Sequence, residues 1–202
     1  MPGSASSRRS DEMPAVVAHP QPAMPLAALL KSHPESAFDY LEFRLIVAGI
    51  AARMAAERAT DEDRARLTTA YEAVVAADRK ADPAVEADAD AEFHLAIYAA
   101  THNVVMEHIM RSIFGLLRRD AFYDRSRLYR REGVRELLLR QHKAIYDGIM
   151  NRNPEAARIA AEKHIQYTRE ALQESRVADE RLAVAMRRAG RDSLAQVADR
   201  EP

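Results

Sequence analysis

Residues 37–59 read AFDYLEFRLIVAGIAARMAAERA, and this stretch decides the fold class. Its apolar side chains recur at steps of three and four, as they do on the buried face of an α-helix. A second apolar stripe covers the neighbouring face, so the pattern predicts a long helix that contacts other helices on two sides. The first stripe comprises Phe38, Leu41, Leu45, Ala48, Ala52 and Ala55, and the second Ile46, Ile50 and Met54.

The rest of the chain continues this helical pattern. Candidate caps open most of the later helices, because Thr, Asp and Asn accept hydrogen bonds from the free N–H groups of a first turn. These caps are Thr60 with Asp63, Asp82, Asn103 and Asn153. No strand pattern or internal repeat interrupts the series. The predicted helices span 37–59, 60–77, 83–102, 104–123, 129–150 and 154–175, followed by a final charged helix with a frayed end.

Composition agrees with a helical protein. Among 202 residues there are only six glycines and no cysteine, while 48% are hydrophobic and 30% charged. Scarce glycine leaves few residues for hairpin turns, and the lack of cysteine excludes disulfides and thiolate metal sites. We predict a disordered tail or linker over residues 1–24, a helical bundle over 25–175, and a charged C-terminal helix or tail over 176–202.

Charge and hydropathy argue against binding to nucleic acid or membranes and against secretion. The formal net charge is −1, so no overall basic field attracts the chain to nucleic acid or to an anionic membrane. No apolar run approaches the ~20 residues of a membrane span, and no apolar segment typical of a secretory signal follows the N-terminal arginines. The sequence therefore predicts a soluble, cytoplasmic protein without a membrane partner.

Four chemically active side chains interrupt apolar stripes. Asp90 and His94 are four residues apart on the third predicted helix, so they share one face. His142 interrupts the stripe of the fifth helix, and His164 interrupts that of the sixth. One carboxylate and three imidazoles are therefore directed toward the core, each by the period of its own helix.

Two interpretations of these groups remain open on spacing alone. A single histidine in an apolar stripe is more often a hydrogen-bonded core residue than a metal ligand. A divalent ion would satisfy all four groups together, and three imidazoles with one carboxylate suit Zn, Ni, Mn or Fe better than Mg or Ca. Spacing does not establish that the three helices converge. For Arg44, spacing favours a snorkelling side chain or an ion pair with Glu42 or a later carboxylate.

Three stretches resemble the C-terminal effector-binding (FCD) domain of FadR-branch regulators in the GntR family. The resemblance covers about residues 25–175 and is strongest to the group of pyruvate-dehydrogenase-complex repressors and lactate-utilisation regulators. The stretches are PLAALLKSHPESAFDYLEFRLIVAGIAARMAAERATDED (25–63), DAEFHLAIYAATHNVVMEHIM (90–110) and LLRQHKAIYDGIMNRNPEAARIAAEKHIQYTREAL (138–172).

The resemblance implies an all-α, six- to seven-helix antiparallel bundle with an internal metal site, which forms a homodimer and senses a small organic acid. The effector would be lactate- or pyruvate-like, or citrate-like, and its carboxylate would complete the metal shell. Zn is the first choice of ion, with Ni, Mn or Fe as alternatives. Arg44 would be the counter-charge for the effector, and Asn103 would form part of the cavity wall. The implied metal ligands are Asp90, His94, His142 and His164.

Two departures from the family pattern affect this interpretation. Many relatives carry a glutamate four residues after the first-helix arginine, where this chain has Ala48. A winged helix-turn-helix is expected before Pro25, and the first 24 residues are too few to encode it. DNA would then be contacted only through a domain absent from this chain. The chain itself would be a fragment, a sequence with a misassigned start or a stand-alone sensor.

Three functions are therefore weighed. The first is a sensing and dimerisation domain of a GntR/FadR-type transcriptional regulator, which is not an enzyme. The second is a metalloenzyme acting on a small hydroxy or keto acid; it ranks lower because Glu92, next to the ligands in sequence, points off their face and no general base is evident. The third is an interaction bundle without a small ligand, which leaves the core Asp and His groups unexplained.

Overall fold

The computed structural model describes residues 36–119 and 133–198, together with residues 26, 28, 32 and 33. The described chain is helical and contains no strand, which confirms the all-α fold class. The predicted tail over 1–24, the end of the fourth helix beyond residue 119 and the start of the fifth over 129–132 lie outside it. Its helices are α1 (Ser36–Arg58), α2 (Asp61–Lys80), α3 (Pro83–Ala99), α4 (Val104–Arg119), α5 (Val134–Met150) and α6 (Pro154–Ala198).

Four of these helices begin at the predicted caps. The Thr60 hydroxyl accepts from the backbone N–H of Asp63 at 3.1 Å, and the Asp63 carboxylate accepts from the N–H of Thr60 at 2.9 Å. Side-chain oxygens of Asp82, Asn103 and Asn153 accept from N–H groups two or three residues later, at 2.9–3.1 Å. These contacts satisfy donors that the first turn of a helix leaves free, which explains why the starts were readable from sequence.

Three predicted helix ends differ from the structure. The second helix was predicted to end at Ala77 and extends to Lys80. The third helix ends at Ala99, three residues early, and His102 adopts a left-handed φ of 54° that no α-helix continues. The predicted break at Ser175 is wrong, because α6 runs without interruption to Ala198. No glycine or proline occurs between residues 155 and 189, so the sequence provides no residue that would stop the helix near Ser175.

The core forms where α1 packs against α6, α5 against α6 and α2 against α3. Most of the first stripe of α1 is buried, with Leu41 and Ala52 fully inaccessible. The second stripe differs from its prediction, because Ile46 and Ile50 are 61% and 47% exposed and line a surface groove between α1 and α6. No other helix in the part of the chain that the structure describes covers them. None of the helices in the described ranges has the length and apolar character to cross a membrane.

Helices α5 and α6 are in close contact at Gly148. A Cβ atom at this position would lie 2.7 Å from both the backbone N and the Cα of Ala157. We expect Gly148→Ala to lower the free energy of unfolding by about 1–3 kcal/mol, because backbone atoms would have to move. Gly115→Ala is the matched control, since a Cβ there meets nothing within 4 Å. Urea unfolding checks this; equal stability of the two variants would contradict the close contact.

Candidate metal centre

The structure brings together the four side chains that the sequence directed toward the core. Helix α3 supplies Asp90 and His94, α5 supplies His142 and α6 supplies His164. All four residues are at most 5% exposed. One ligand atom from each lies within 4.8 Å of the corresponding atoms of the other three. The three helices therefore converge at one buried point.

The distances between these atoms suit a shared ion. His142 Nε2 lies 2.9 Å from Asp90 Oδ1, and His94 Nε2 lies 3.1 Å from His164 Nε2. His94 Nε2 is also 3.5 Å from Asp90 Oδ1. Two donors bound ~2.1 Å from one ion are ~3.0 Å apart at a right angle and ~3.4 Å apart at the tetrahedral angle. The spacing of these three donor pairs therefore fits a shared transition-metal ion.

Burial keeps the imidazoles of His94 and His164 neutral. It lowers the pKa of His94 to about 3, assisted by the positive charge of Arg44 and opposed by Asp90. Burial also lowers the pKa of His164 well below its ordinary value, with His142 and His94 as further causes. At pH 7 the contact between Asp90 and His94 is thus not an ion pair. Neutral imidazoles have a free lone pair, which is the form that binds metal ions.

Aromatic rings and an amide hold the imidazoles in place. The Phe93 ring packs edge-on against His94 and His142, with centroid distances of 5.7 and 5.3 Å. The amide belongs to Gln141 on α5, whose Oε1 lies 3.2 Å from Nδ1 of His164 on α6. Sequence reasoning missed Phe93 and Gln141, although each directly precedes a proposed ligand. Their position one residue before His94 and His142 was the available signal.

Arg44 is a buried cation, so the snorkelling interpretation of its side chain is wrong. Its side chain is 1% exposed, and its Cζ atom lies 5.2 Å from the centre of the Phe114 ring. Neither Nε nor Nη2 has a hydrogen-bond partner among the described residues. The residue one turn later is the buried Ala48, which carries no acceptor. A buried cation with unsatisfied donors is costly unless an anion binds it.

Asn103 lies at the start of α4. Its side-chain oxygen accepts from the backbone N–H of Met106 at 3.1 Å, and its own N–H donates to the Thr101 hydroxyl at 3.1 Å. These contacts give Asn103 a capping role. Its predicted place in the cavity wall stays a prediction. Glu92 is exposed between buried neighbours on α3, in keeping with the expectation that it points away from the ligands.

Glu86 is a further buried acid that sequence reasoning missed. It lies one helical turn before Asp90 on α3 and is 3% exposed. Arg135 Nε lies 3.2 Å from Glu86 Oε2, and Arg135 Nη2 donates to the Ala81 carbonyl at 2.9 Å. Burial nevertheless raises the pKa of Glu86 to about 7. Its burial could have been predicted from the sequence, because residues 86, 90 and 94 are spaced in steps of four and therefore share one face of the helix.

This raised pKa predicts a pH dependence of stability. Between about pH 4.5 and 7 the folded state binds more protons at Glu86 than the unfolded state, so this group's contribution to stability falls as pH rises through that window. We expect Glu86→Gln to remove that component from the pH profile of the unfolding free energy. Glu136→Gln, at an exposed position of α5, is the control. Profiles of Glu86→Gln and wild type that run parallel from pH 4.5 to 7 would contradict the prediction.

The chain was also compared with known proteins. Residues 39–167 match the FCD domain. The chain is 34% identical over 143 residues to the putative L-lactate dehydrogenase operon regulatory protein of Escherichia coli strain K12, covering 71% of this chain and 54% of that protein. It is 33% identical over 155 residues to the Glc operon transcriptional activator of the same strain, covering 75% and 61%. The chain thus spans little more than half the length of these relatives.

A solved structure shares the fold. Streptococcus agalactiae GntR superposes with a TM-score of 0.54 at 22% sequence identity, covering 73% of this chain and 62% of that one. At this level of identity the likeness concerns the fold alone. It agrees with the helical bundle described above.

Proposed function

The chain belongs to the FCD domain family, and on that premise we propose that it is the metal-dependent, effector-sensing domain of a GntR/FadR-type transcriptional regulator. The observation that carries the proposal is the buried cluster of Asp90, His94, His142 and His164, whose donor atoms lie within 4.8 Å of one another. The ion would be Zn, with Ni, Mn or Fe as alternatives, because three nitrogens and one oxygen suit these metals.

The effector we propose is a small 2-hydroxy or 2-keto acid of the lactate or pyruvate type. Such an acid chelates a metal ion through two oxygens, and its carboxylate can accept hydrogen bonds from a guanidinium. Arg44 supports this chemistry, since it is buried and two of its nitrogens lack acceptors. One relative is named for an L-lactate dehydrogenase operon, which favours a lactate-like acid over a citrate-like one.

We further propose that effector binding shifts a homodimer between two arrangements and that DNA is contacted by a separate winged helix-turn-helix domain. Large apolar side chains exposed on α1 and α4 support dimerisation, because such surface is usually covered by a partner. The net charge of −1 gives this bundle no basic field of its own for DNA. The exposed side chains are Phe43, Ile46, Ile50, Val104, Val105 and Ile109.

Metal analysis followed by thermal-shift measurements tests the proposal. We expect the purified chain to contain a transition metal and one acid among L-lactate, pyruvate and citrate to raise its melting temperature. The shift should disappear after chelation and return with added metal, because a ligand that binds only the folded state stabilises it. The acid should be recovered unchanged.

Other outcomes of the same experiment would exclude the proposal. Conversion of the acid would support the metalloenzyme instead, for which the open coordination position of a His-rich site is the favouring feature. A chain without metal and without any shift would leave an interaction bundle. A shift that survives chelation would refute metal dependence while keeping the sensor.

A further inference from the structure

Gln141 makes a contact between the two helices that supply the last two proposed ligands. It is half-buried on α5, directly before His142, yet its Oε1 lies 3.2 Å from Nδ1 of His164 on α6. The opposite ring nitrogen of His164, Nε2, faces His94 Nε2 at 3.1 Å. Gln141 therefore contacts the nitrogen of His164 that points away from the cluster.

This contact determines where the single proton of a neutral imidazole lies. His164 is 2% exposed, and an imidazole that binds a metal ion is neutral, so the ring carries one N–H. An amide oxygen can only accept a hydrogen bond, which requires the N–H to be at Nδ1. Nε2 then directs a lone pair at the centre of the cluster. With the proton at Nε2, the ring could not bind an ion there.

We infer that Gln141 is a positioning residue that fixes His164 in the tautomer protonated at Nδ1 and thereby makes Nε2 available as a metal ligand. The inference rests on the proposed metal site, because only a ligand role makes this tautomer matter for function. Hydrogen bonds to the outer nitrogen of a ligand histidine generally fix the ring and raise its basicity. His142 lacks such a contact, since its Nδ1 has no hydrogen-bond partner in the described part of the chain.

The tautomer can be measured without metal. Long-range 1H–15N spectra of the metal-free full chain report which ring nitrogen of each histidine carries the proton. We expect His164 to be protonated at Nδ1 in the wild type and at least partly at Nε2 in Gln141→Met, which keeps the side-chain length but has no acceptor. A wild-type His164 protonated at Nε2 would overturn the inference, because the Gln141 amide would then be donating rather than accepting.

Metal affinity provides the second readout. In competition with a chromophoric chelator, Gln141→Met should bind Zn²⁺ about 10- to 100-fold more weakly than the wild type. Gln141→Glu should restore the affinity, because a carboxylate accepts the same hydrogen bond. Gln166→Met is the matched control, since Gln166 is exposed on α6 and donates to Glu170. Equal affinity of Gln141→Met and wild type, or no rescue by glutamate, would refute the positioning role.

These two readouts separate the inference from the proposed function. A folded wild type that binds no transition metal refutes the metal-dependent sensor, whatever the tautomer of His164. A wild type that binds metal with His164 protonated at Nε2 before loading refutes the role of Gln141 and leaves the sensor standing.

Discussion

Replacing His94 with leucine is expected to abolish tight binding of a transition-metal ion and the stability that the ion contributes. His94 supplies one of four donors, so we expect its loss to weaken affinity at least ~100-fold. Leucine fills much of the volume of the imidazole, which limits the cavity left in the metal-free bundle. An ion present at a thousand times its Kd stabilises the folded state by about 4 kcal/mol. For a chain of this size that corresponds to roughly 8–16 °C in Tm.

The measurement compares metal content and Tm with and without a chelator. His108→Leu is the matched control, because His108 is exposed on α4 and lies outside the buried cluster. The control should keep its metal and its chelator-sensitive Tm, whereas His94→Leu should lose both. Full metal content in His94→Leu would show that the other three residues suffice or that the ion binds elsewhere.

Replacing Arg44 with methionine is expected to separate effector binding from metal binding. Removing one partner of a buried, hydrogen-bonded charge pair costs about 2–5 kcal/mol, so affinity for L-lactate should fall by roughly 30- to 5000-fold. Metal affinity should stay equal or rise, because the positive charge of Arg44 acts on both His94 and His164 and would also repel a cation. The ligand-free protein should lose little stability, since the substitution removes a buried cation with two unsatisfied nitrogens.

Calorimetric titrations with Zn²⁺ and then with L-lactate would test both expectations, the equal or tighter binding of metal and the weaker binding of the acid. Arg53→Met is the control on the same helix, because Arg53 is exposed and pairs with Glu57 at 3.1 Å. It should change neither titration. Loss of metal binding in Arg44→Met, or unchanged binding of the acid, would contradict the role proposed for Arg44.

Local chemistry made much of this fold readable from sequence. The caps at Thr60, Asp82, Asn103 and Asn153 satisfy donors within three residues, so no knowledge of distant contacts was needed. The period of each helix likewise placed the histidines on core-facing positions. A helix beyond Ser175 was predicted, but its continuity with α6 was missed, because a charged segment gives no periodic signal that distinguishes a separate helix from a continuous one.

Contacts between helices were not readable in the same way. The pairing of Glu86 with Arg135 joins residues 49 positions apart, and that of Gln141 with His164 spans 23 positions. Ile46 and Ile50 were predicted to contact another helix and are exposed instead. An apolar stripe indicates a surface that is usually covered, but it does not say whether the covering helix belongs to the same chain. Periodicity is a property of one helix, whereas these contacts depend on how helices dock.

The sequence by itself placed one carboxylate and three imidazoles on the core-facing sides of their helices, because that placement depends on helical period. It therefore supplied Asp90, His94, His142 and His164 as core-facing groups and the bundle as their setting. The tertiary structure decided that their donor atoms meet within 4.8 Å and that Arg44 is buried rather than solvated. Docking angles and depths result from packing many side chains together, and no local stretch of sequence encodes them.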